Sequence, residues 1–495
     1  MLSAVEQRRL ILSRSTETKR KSQLGQFLTP SRTARFMAAL FTSQAEKTCH
    51  LLDPGAGIGS LSSAFLERCA LGGLGFDKVE VTAFELDATL HKEIEQSLSS
   101  FASRIHLSYE IMGDDFVEEA VNRIQFRYGN TFTHAILNPP YKKINSGSRY
   151  RLLLRHVGIE TVNLYSAFLA LALELMAPGA QIVAIIPRSF CNGPYYLAFR
   201  KFLLERVAIR HLHLFETRNR AFRDDDVLQE NLILMLDRSA PQGDVVVTTS
   251  TDDRFADLST HVYPFDSIVC PGDPEHVIHV PTSPNLNTID SMPAVRYSLD
   301  DIGISVSTGP IVDFRLKEHL RKAPGQGTAP LLYPSHFRSG RLGWPRIGIK
   351  KPNAILRNDQ TERWLFPKGF YCVVRRFSSK EEKRRVVASV VEPDMFPDID
   401  VLGFENHLNV FHENKRGLPE FMARGLALYL NSTAVDEHFR RFSGHTQVNA
   451  TDLRRIKYPS RAGLIALGEW SIEHQRLTQA MIDEQLSKVT DEQRY

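Results

Sequence analysis

The chain has 495 residues, 42% of them hydrophobic and 24% charged, and a formal net charge of +4. This is ordinary globular composition. It excludes collagen-like, fibrous and wholly disordered architectures, and so small a net charge names no partner by itself.

Five cysteines (Cys49, Cys69, Cys191, Cys270 and Cys372) include no C-x-x-C pair. Such a scattered, odd set fits a reducing compartment and argues against a disulfide framework or a structural zinc site. The segment before Gln23 has no uninterrupted apolar core and no small-residue cleavage site, so it does not read as a secretory signal. The most apolar helical stretch, Leu164 to Ala177, carries Glu174 and falls short of the ~20 residues a spanning helix needs. A soluble, cytoplasmic protein without membrane attachment or bound metal is expected.

Up to about residue 240, short apolar runs alternate with helical patterns at the spacing of βαβ units. The runs begin near Leu51, Glu80, His106, His134, Gln181, Arg210 and Asn231, and between them lie amphipathic stretches such as Leu61 to Ala70 and Leu164 to Met176. Seven strands separated by helices predict an α/β, Rossmann-like doubly wound sheet, with ligands at the carboxyl ends of its strands. The last run, Asn231 to Asp237, follows Arg210 to Phe215 with no helix between, so an antiparallel strand is expected there. Ala240-Pro-Gln-Gly243 reads as a linker. The expected domains are therefore 1–240 and 241–495, the second a mixed α+β region rich in Pro and Gly.

The first strand runs straight into a glycine turn, Leu51-Leu-Asp-Pro-Gly-Ala-Gly-Ile-Gly59. Glycines let the backbone turn sharply and approach a ligand closely. A tight turn without a ligand is one reading. A dinucleotide site is another, since Gly55 and Gly57 resemble half of G-x-G-x-x-G. Asp53-Pro54 ahead of the glycines, and Ser60 where Gly or Ala would stand, point away from NAD. The second strand, Val79 to Phe84, ends at Glu85. A carboxylate there is placed to accept from both ribose hydroxyls, with a plain surface acid as the alternative. The third ends in Gly113-Asp-Asp-Phe116. Asp115 suits an adenine amino group with Phe116 on the ring, and it equally suits an N-cap for the next helix.

The fourth strand ends in Asn138-Pro-Pro-Tyr141. Neither Pro139 nor Pro140 donates a backbone hydrogen bond, and each restricts the residue before it. The outcome is a stiff, extended corner at the sheet edge. It offers two acceptors, the Asn138 side-chain oxygen and the Pro139 carbonyl, with the Tyr141 ring beside them. That corner fits a planar amino group on an aromatic ring. Accepting both N–H bonds draws the nitrogen toward tetrahedral geometry and frees its lone pair.

Charge is unevenly spread. Phe314 to Arg385 holds 18 Lys and Arg against 5 Asp and Glu, a net +13, so with +4 overall the remainder of the chain sums to −9. Aromatic residues, among them Tyr333, Phe337, Trp344, Trp364 and Phe377, are interleaved with the cations. The combination suits a phosphate backbone and its bases; a solvated, loop-rich surface is the bland alternative.

Taken together, these motifs resemble those of S-adenosylmethionine-dependent DNA adenine-N6 methyltransferases, most closely the PstI/BsuBI-type modification methylases and more distantly the TaqI type. The resemblance spans almost the whole chain and implies a class I methyltransferase domain followed by a DNA target-recognition domain. By it, Gln23-Leu-Gly-Gln-Phe-Leu-Thr-Pro30 is the N-terminal cofactor motif, with Thr29 on the methionine carboxylate. Asp53, Gly55, Ala56 and Gly57 form the main cofactor loop, Glu85 binds ribose, and Asp115 and Phe116 bind adenine. Asn138, Pro139, Pro140 and Tyr141 form the catalytic tetrapeptide, with Tyr141 stacked on a flipped adenine. Phe222, ahead of Val227-Leu-Gln-Glu-Asn-Leu-Ile-Leu234, is carried over as the aromatic closing the base's other side, although Arg223-Asp-Asp-Asp226 departs from the family pattern. Asn163-Leu-Tyr-Ser-Ala-Phe168 and Ile185-Ile-Pro-Arg-Ser-Phe190 resemble later motifs. Glu405-Asn-His-Leu-Asn409 and Gly444-His-Thr-Gln-Val-Asn-Ala-Thr-Asp452 resemble recognition-domain segments.

The resemblance implies S-adenosyl-L-methionine as cofactor, double-stranded DNA as partner, action as a monomer, and an inner adenine of CTGCAG as target. It also implies the modification half of a restriction-modification system, any cognate endonuclease being a separate protein. Two other readings compete. Asn-Pro-Pro-Tyr also occurs in methylases of RNA adenine or protein glutamine, which need only a short accessory region. A catalytically inactive relative that only grips DNA would not need the full set of chemical residues found here.

Overall fold

The computed structural model describes residues 2–15, 28–215, 230–281, 289, 292–338, 340–378, 382–443, 447–474 and 476–492. The chain divides into two compact units, Met1–Pro284 and Asn285–Tyr495.

In the first unit, nine strands form one sheet: β1 (Thr48–Pro54), β2 (Lys78–Phe84), β3 (Leu107–Met112), β4 (Phe132–Leu137), β5 (Met176–Pro187), β6 (Val207–Phe215), β7 (Asn231–Arg238), β8 (Val245–Ser250) and β9 (Ser259–Tyr263). Their order is β3-β2-β1-β4-β5-β7-β6-β8-β9. The first five are mutually parallel, and β7 is antiparallel to both β5 and β6, as expected from the short Arg210–Asp237 spacing. The seven expected strands are all present. Two more extend the sheet, because Ala240-Pro-Gln-Gly243 is a loop inside this unit and not a domain linker. The unit accordingly runs to Pro284, past the boundary expected at 240.

Helices cover both faces: α1 (Leu2–Ser15), α2 (Ser31–Leu40), α3 (Ser60–Ala70), α4 (His91–Ser99), α5 (Phe116–Phe126), α6 (Arg149–His156), α7 (Leu164–Leu175) and α8 (Leu197–Leu204). The central strands are buried on both sides, so they read as unbroken apolar runs. Leu232, Leu234 and Leu236 of β7 join the core under α5, α7 and α8, while Ile233 and Met235 between them join the core under α2 and α3. Helix α7 is apolar all round, and all but one of its residues are buried.

The chain lays β2 and β3 on one side of β1 and β4 on the other. The order reverses between β1 and β4, which opens a crevice at their carboxyl ends. The second unit is α+β. A four-stranded sheet includes Tyr371–Arg375 and Leu408–His412, and a five-stranded sheet includes Thr328–Leu332 and Val401–Phe404. Helices Glu420–Leu430 and Arg461–Ile472 meet through bare backbone: a Cβ on Gly425 would lie 1.8 Å from the Leu464 carbonyl oxygen. Among the described residues, no helix is long and apolar enough to cross a membrane.

Candidate active site

The turn after β1 is built from left-handed residues, with φ of +82° at Gly55, +61° at Gly57 and +76° at Gly59. Its amides face inward. Gly55 and Ala56 both donate to the Phe84 carbonyl at 2.9 Å, and Gly57 donates to Glu85 Oε2 at 2.8 Å. The other oxygen of Glu85, Oε1, accepts from the Asp87 amide at 2.8 Å. The buried carboxylate thus ties the end of β2 to the glycine turn. A side chain at Gly57 would be strained by its φ of +61°, and its Cβ would also press on Leu28 Cδ2 at 2.9 Å.

Behind the turn, Asp53 is fully buried, and its Oδ2 accepts from Ser62 through both the hydroxyl (2.6 Å) and the amide (3.3 Å). Burial pushes its carboxyl up to about 7; the Ser62 bonds oppose this and the charge of Glu85 adds to it. Asp53 therefore anchors the start of α3 to the end of β1.

At the third strand's end, Asp115 caps α5 through its Oδ1 on the Val117 amide (2.9 Å) and accepts from the Tyr150 hydroxyl on Oδ2. The N-cap reading of Asp115 holds, and the residue also lines the cleft. Phe116 stands edge-on to Phe84 at 5.1 Å and tilted against Phe168 at 4.9 Å.

After β4, Asn138 is held at both ends of its amide. Its Nδ2 donates to Thr29 Oγ1 at 3.0 Å, and its Oδ1 accepts from the Tyr141 hydroxyl at 3.0 Å. The same hydroxyl lies 3.3 Å from the Ile185 carbonyl oxygen, and the Tyr141 ring meets Tyr165 edge-on at 6.2 Å.

These parts enclose one cleft of about 950 Å³, partly open to solvent. Gly55, Gly57, Glu85, Asp115, Phe116, Asn138 and Pro140 line it; Thr29, Asp53, Ala56, Pro139 and Tyr141 are not among the lining residues. Phe222 lies outside the described residues. Sequence reasoning missed Phe84, Leu86, Lys142 and Tyr150, which also line the cleft, as does Leu28 from within the N-terminal motif. Lys142 directly follows the tetrapeptide, and that adjacency was the available signal. Tyr150 carried none.

The lining selects a ligand class. The amides of residues 55, 56 and 57 are all used within the fold, so they are not a pyrophosphate cradle, which requires outward-pointing N–H groups. Glu85, Asp114 and Asp115 against Lys142 give the cleft an acidic bias, which suits a cationic nucleoside and opposes a dinucleotide. The apolar walls Phe84, Phe116 and Phe168 suit a purine, and Leu86, exposed at the mouth, suits further apolar contact.

Comparison with known proteins gives the same picture. Residues 36–222 match the family described as Eco57I restriction-modification methylase. The chain is 52% identical over 478 residues to the type II methyltransferase M.BsuBI of Bacillus subtilis, covering 95% of each chain. It is 40% identical over 475 residues to the type II methyltransferase M.PstI of Providencia stuartii, covering 94% of this chain and 92% of that one. Its fold is similar to that of the type IIL restriction-modification enzyme MmeI, solved in complex with DNA, with a TM-score of 0.55 at 11% identity over 98% of this chain and 75% of that one.

Proposed function

Because the chain belongs to the type II restriction-modification methyltransferases, we propose that it methylates N6 of an adenine turned out of duplex DNA, within CTGCAG. One observation carries this reading: Asn138 of the Asn-Pro-Pro-Tyr corner opens into the same cleft as Gly55, Gly57, Glu85 and Asp115.

S-adenosylmethionine, when bound, supplies an activated methyl group on a sulfonium. Glu85 would hold its ribose hydroxyls, and Asp115 its adenine amino group, with Phe116 against the ring. A carboxylate has about four lone-pair sites, so both acids retain acceptor capacity beyond the bonds described. Asn138 Oδ1 and the Pro139 carbonyl accept the two N–H bonds of the target amine, leaving its lone pair free for in-line attack. Because Tyr141 already donates to Oδ1, the amide oxygen is pre-aimed before the base arrives, and positioning of this kind supplies much of the acceleration. Extruding the base costs a few kcal/mol, which phosphate contacts by the basic second unit offset. One adenine is modified per event, so one copy of the chain suffices, with any endonuclease of the same specificity acting separately.

DNA from cells expressing the protein is sequenced with methylation detection. The expected result is N6-methyladenine at the inner adenine of CTGCAG. Asn138→Ala should remove it while S-adenosylmethionine still binds in calorimetry. Modified cytosine, unmodified DNA, or full methylation by the variant would refute the reading. Tritiated methyl transfer to RNA and to protein, run alongside, tests the two competing substrates.

A further inference from the structure

In the second unit, the short strands Phe337–Arg338 and Arg341–Leu342 pair as a hairpin and lead into a loop that closes at Asn353. From Pro334 to Pro352 the sequence holds five Lys and Arg and no acidic residue. The buried Asn353 side chain grips one loop residue at both backbone groups. Its Oδ1 accepts the Arg346 amide at 2.8 Å, and its Nδ2 donates to the Arg346 carbonyl at 3.1 Å. The Asn353 carbonyl accepts from the Trp344 indole at 2.7 Å, and the Trp344 ring tilts against buried Phe396 at 5.2 Å. Lys351, on the returning limb, is paired with Asp313 at 2.7 Å. The base of the loop is therefore braced on both sides.

Beyond that base stands Ile347, 97% exposed, the barest large apolar side chain among the described residues. Phe314, next to the Asp313 that anchors Lys351, is 64% exposed, with the Arg315 guanidinium 5.5 Å from its ring. Single exposed apolar residues are common on protein surfaces. Here a braced loop holds the isoleucine out among cations that no carboxylate has claimed. Arg338, Arg341 and Lys350, on the hairpin and the loop, are exposed and form no ion pair among the described residues.

We infer that Ile347 is an apolar wedge that enters the base stack of the bound duplex, with Arg338, Arg341 and Lys350 on the neighbouring phosphates. The inference rests on the reading that the chain acts on duplex DNA. A stretch with cations and no acid suits a polyanion, and it repels a second copy of itself. Cations without carboxylate partners meet phosphates without first breaking an ion pair. Aliphatic side chains pushed between base pairs unstack a step and kink the duplex by about 20–90°. Contact with the bases then buries the apolar surface that the fold leaves in water.

The test titrates the full chain against a CTGCAG duplex carrying a fluorophore at each end, so that energy transfer at saturation reports the bend. The wild-type complex should be bent by about 20° or more. Ile347→Ala should remove about half of that bend or more and weaken binding about tenfold. Its slope of log affinity against log salt should match the wild type, because no phosphate contact is lost. Ile347→Leu keeps an apolar wedge and should hold affinity within about twofold, with the bend retained. Because the side chain is exposed, all three proteins should melt at the same temperature. A straight wild-type complex overturns the inference, as does an Ile347→Ala protein that keeps the wild-type bend or affinity, which would leave the loop to a protein partner. A flattened salt slope, a lowered melting temperature, or an Ile347→Leu loss equal to that of Ile347→Ala overturns it too. Absence of methylation by the wild type would instead count against the proposed function, so the two failures are distinguishable.

Discussion

In the proposed reaction Asn138 is the residue on which the chemistry turns, and its orientation depends on two partners distant in character. Thr29 reaches it from the N-terminal segment, and Tyr141 from its own tetrapeptide. Removing the Tyr141 hydroxyl leaves the ring in place but frees the amide to rotate. A neutral hydrogen bond contributes ~1 kcal/mol, so Tyr141→Phe should slow single-turnover methylation about fivefold to tenfold while S-adenosylmethionine affinity is unchanged. An unaltered rate would mean the hydroxyl does not aim Asn138. The tetrapeptide itself was legible in the sequence, because two consecutive prolines after an apolar strand leave few conformations. The Thr29 contact was not. It spans 109 positions, and nothing local in a threonine announces a partner that far along the chain.

At the scale of the element, the joint between β1, the glycine turn and α3 is held by a carboxyl group in an unfavourable place. Asp53 ordinarily titrates near 3.8, and burial moves it to about 7 in the folded state. The folded protein therefore keeps a proton that the unfolded chain has already released, and stability falls as pH rises from about 4 to about 7. Asp53→Asn keeps an acceptor for Ser62 and removes the titration. Urea midpoints of the variant and the wild type should nearly coincide at pH 4. By pH 8 the variant should be the more stable by a few kcal/mol, since each pH unit separating the folded and unfolded titrations contributes on the order of 1.4 kcal/mol. Parallel pH curves would refute this account of the joint. Strands β1 to β7 were legible from their apolar runs and spacing, and the antiparallel sense of β7 from the lack of a helical sequence pattern between its run and the one before it. Strands β8 and β9 were not, because a Pro-Gly signal marks a short loop between strands as readily as a domain boundary.

For the molecule as a whole, the basic block is smaller in effect than its composition suggests. Arg385 is buried, its guanidinium bonded to Ser378 and Ser443. Arg357 is shared between Glu362 and Asp400, and Lys351 is paired with Asp313. A count along the sequence cannot separate cations that hold the second unit together from cations that face a ligand, since pairing is settled by strands far apart in the chain. Others remain on the surface, including Arg341, Lys350 and Arg363. Each that contacts a phosphate releases a counterion, and log affinity then falls against log salt with a slope of about −0.9 per contact. Titrations of duplex DNA at several potassium chloride concentrations should give a slope steeper than about −3. They should also give a slope well short of the value that all 18 basic residues of the block would produce. Replacing Arg341 and Lys350 together by alanine should flatten it by about two units. A slope near zero, or one indifferent to those substitutions, would place the duplex elsewhere on the protein.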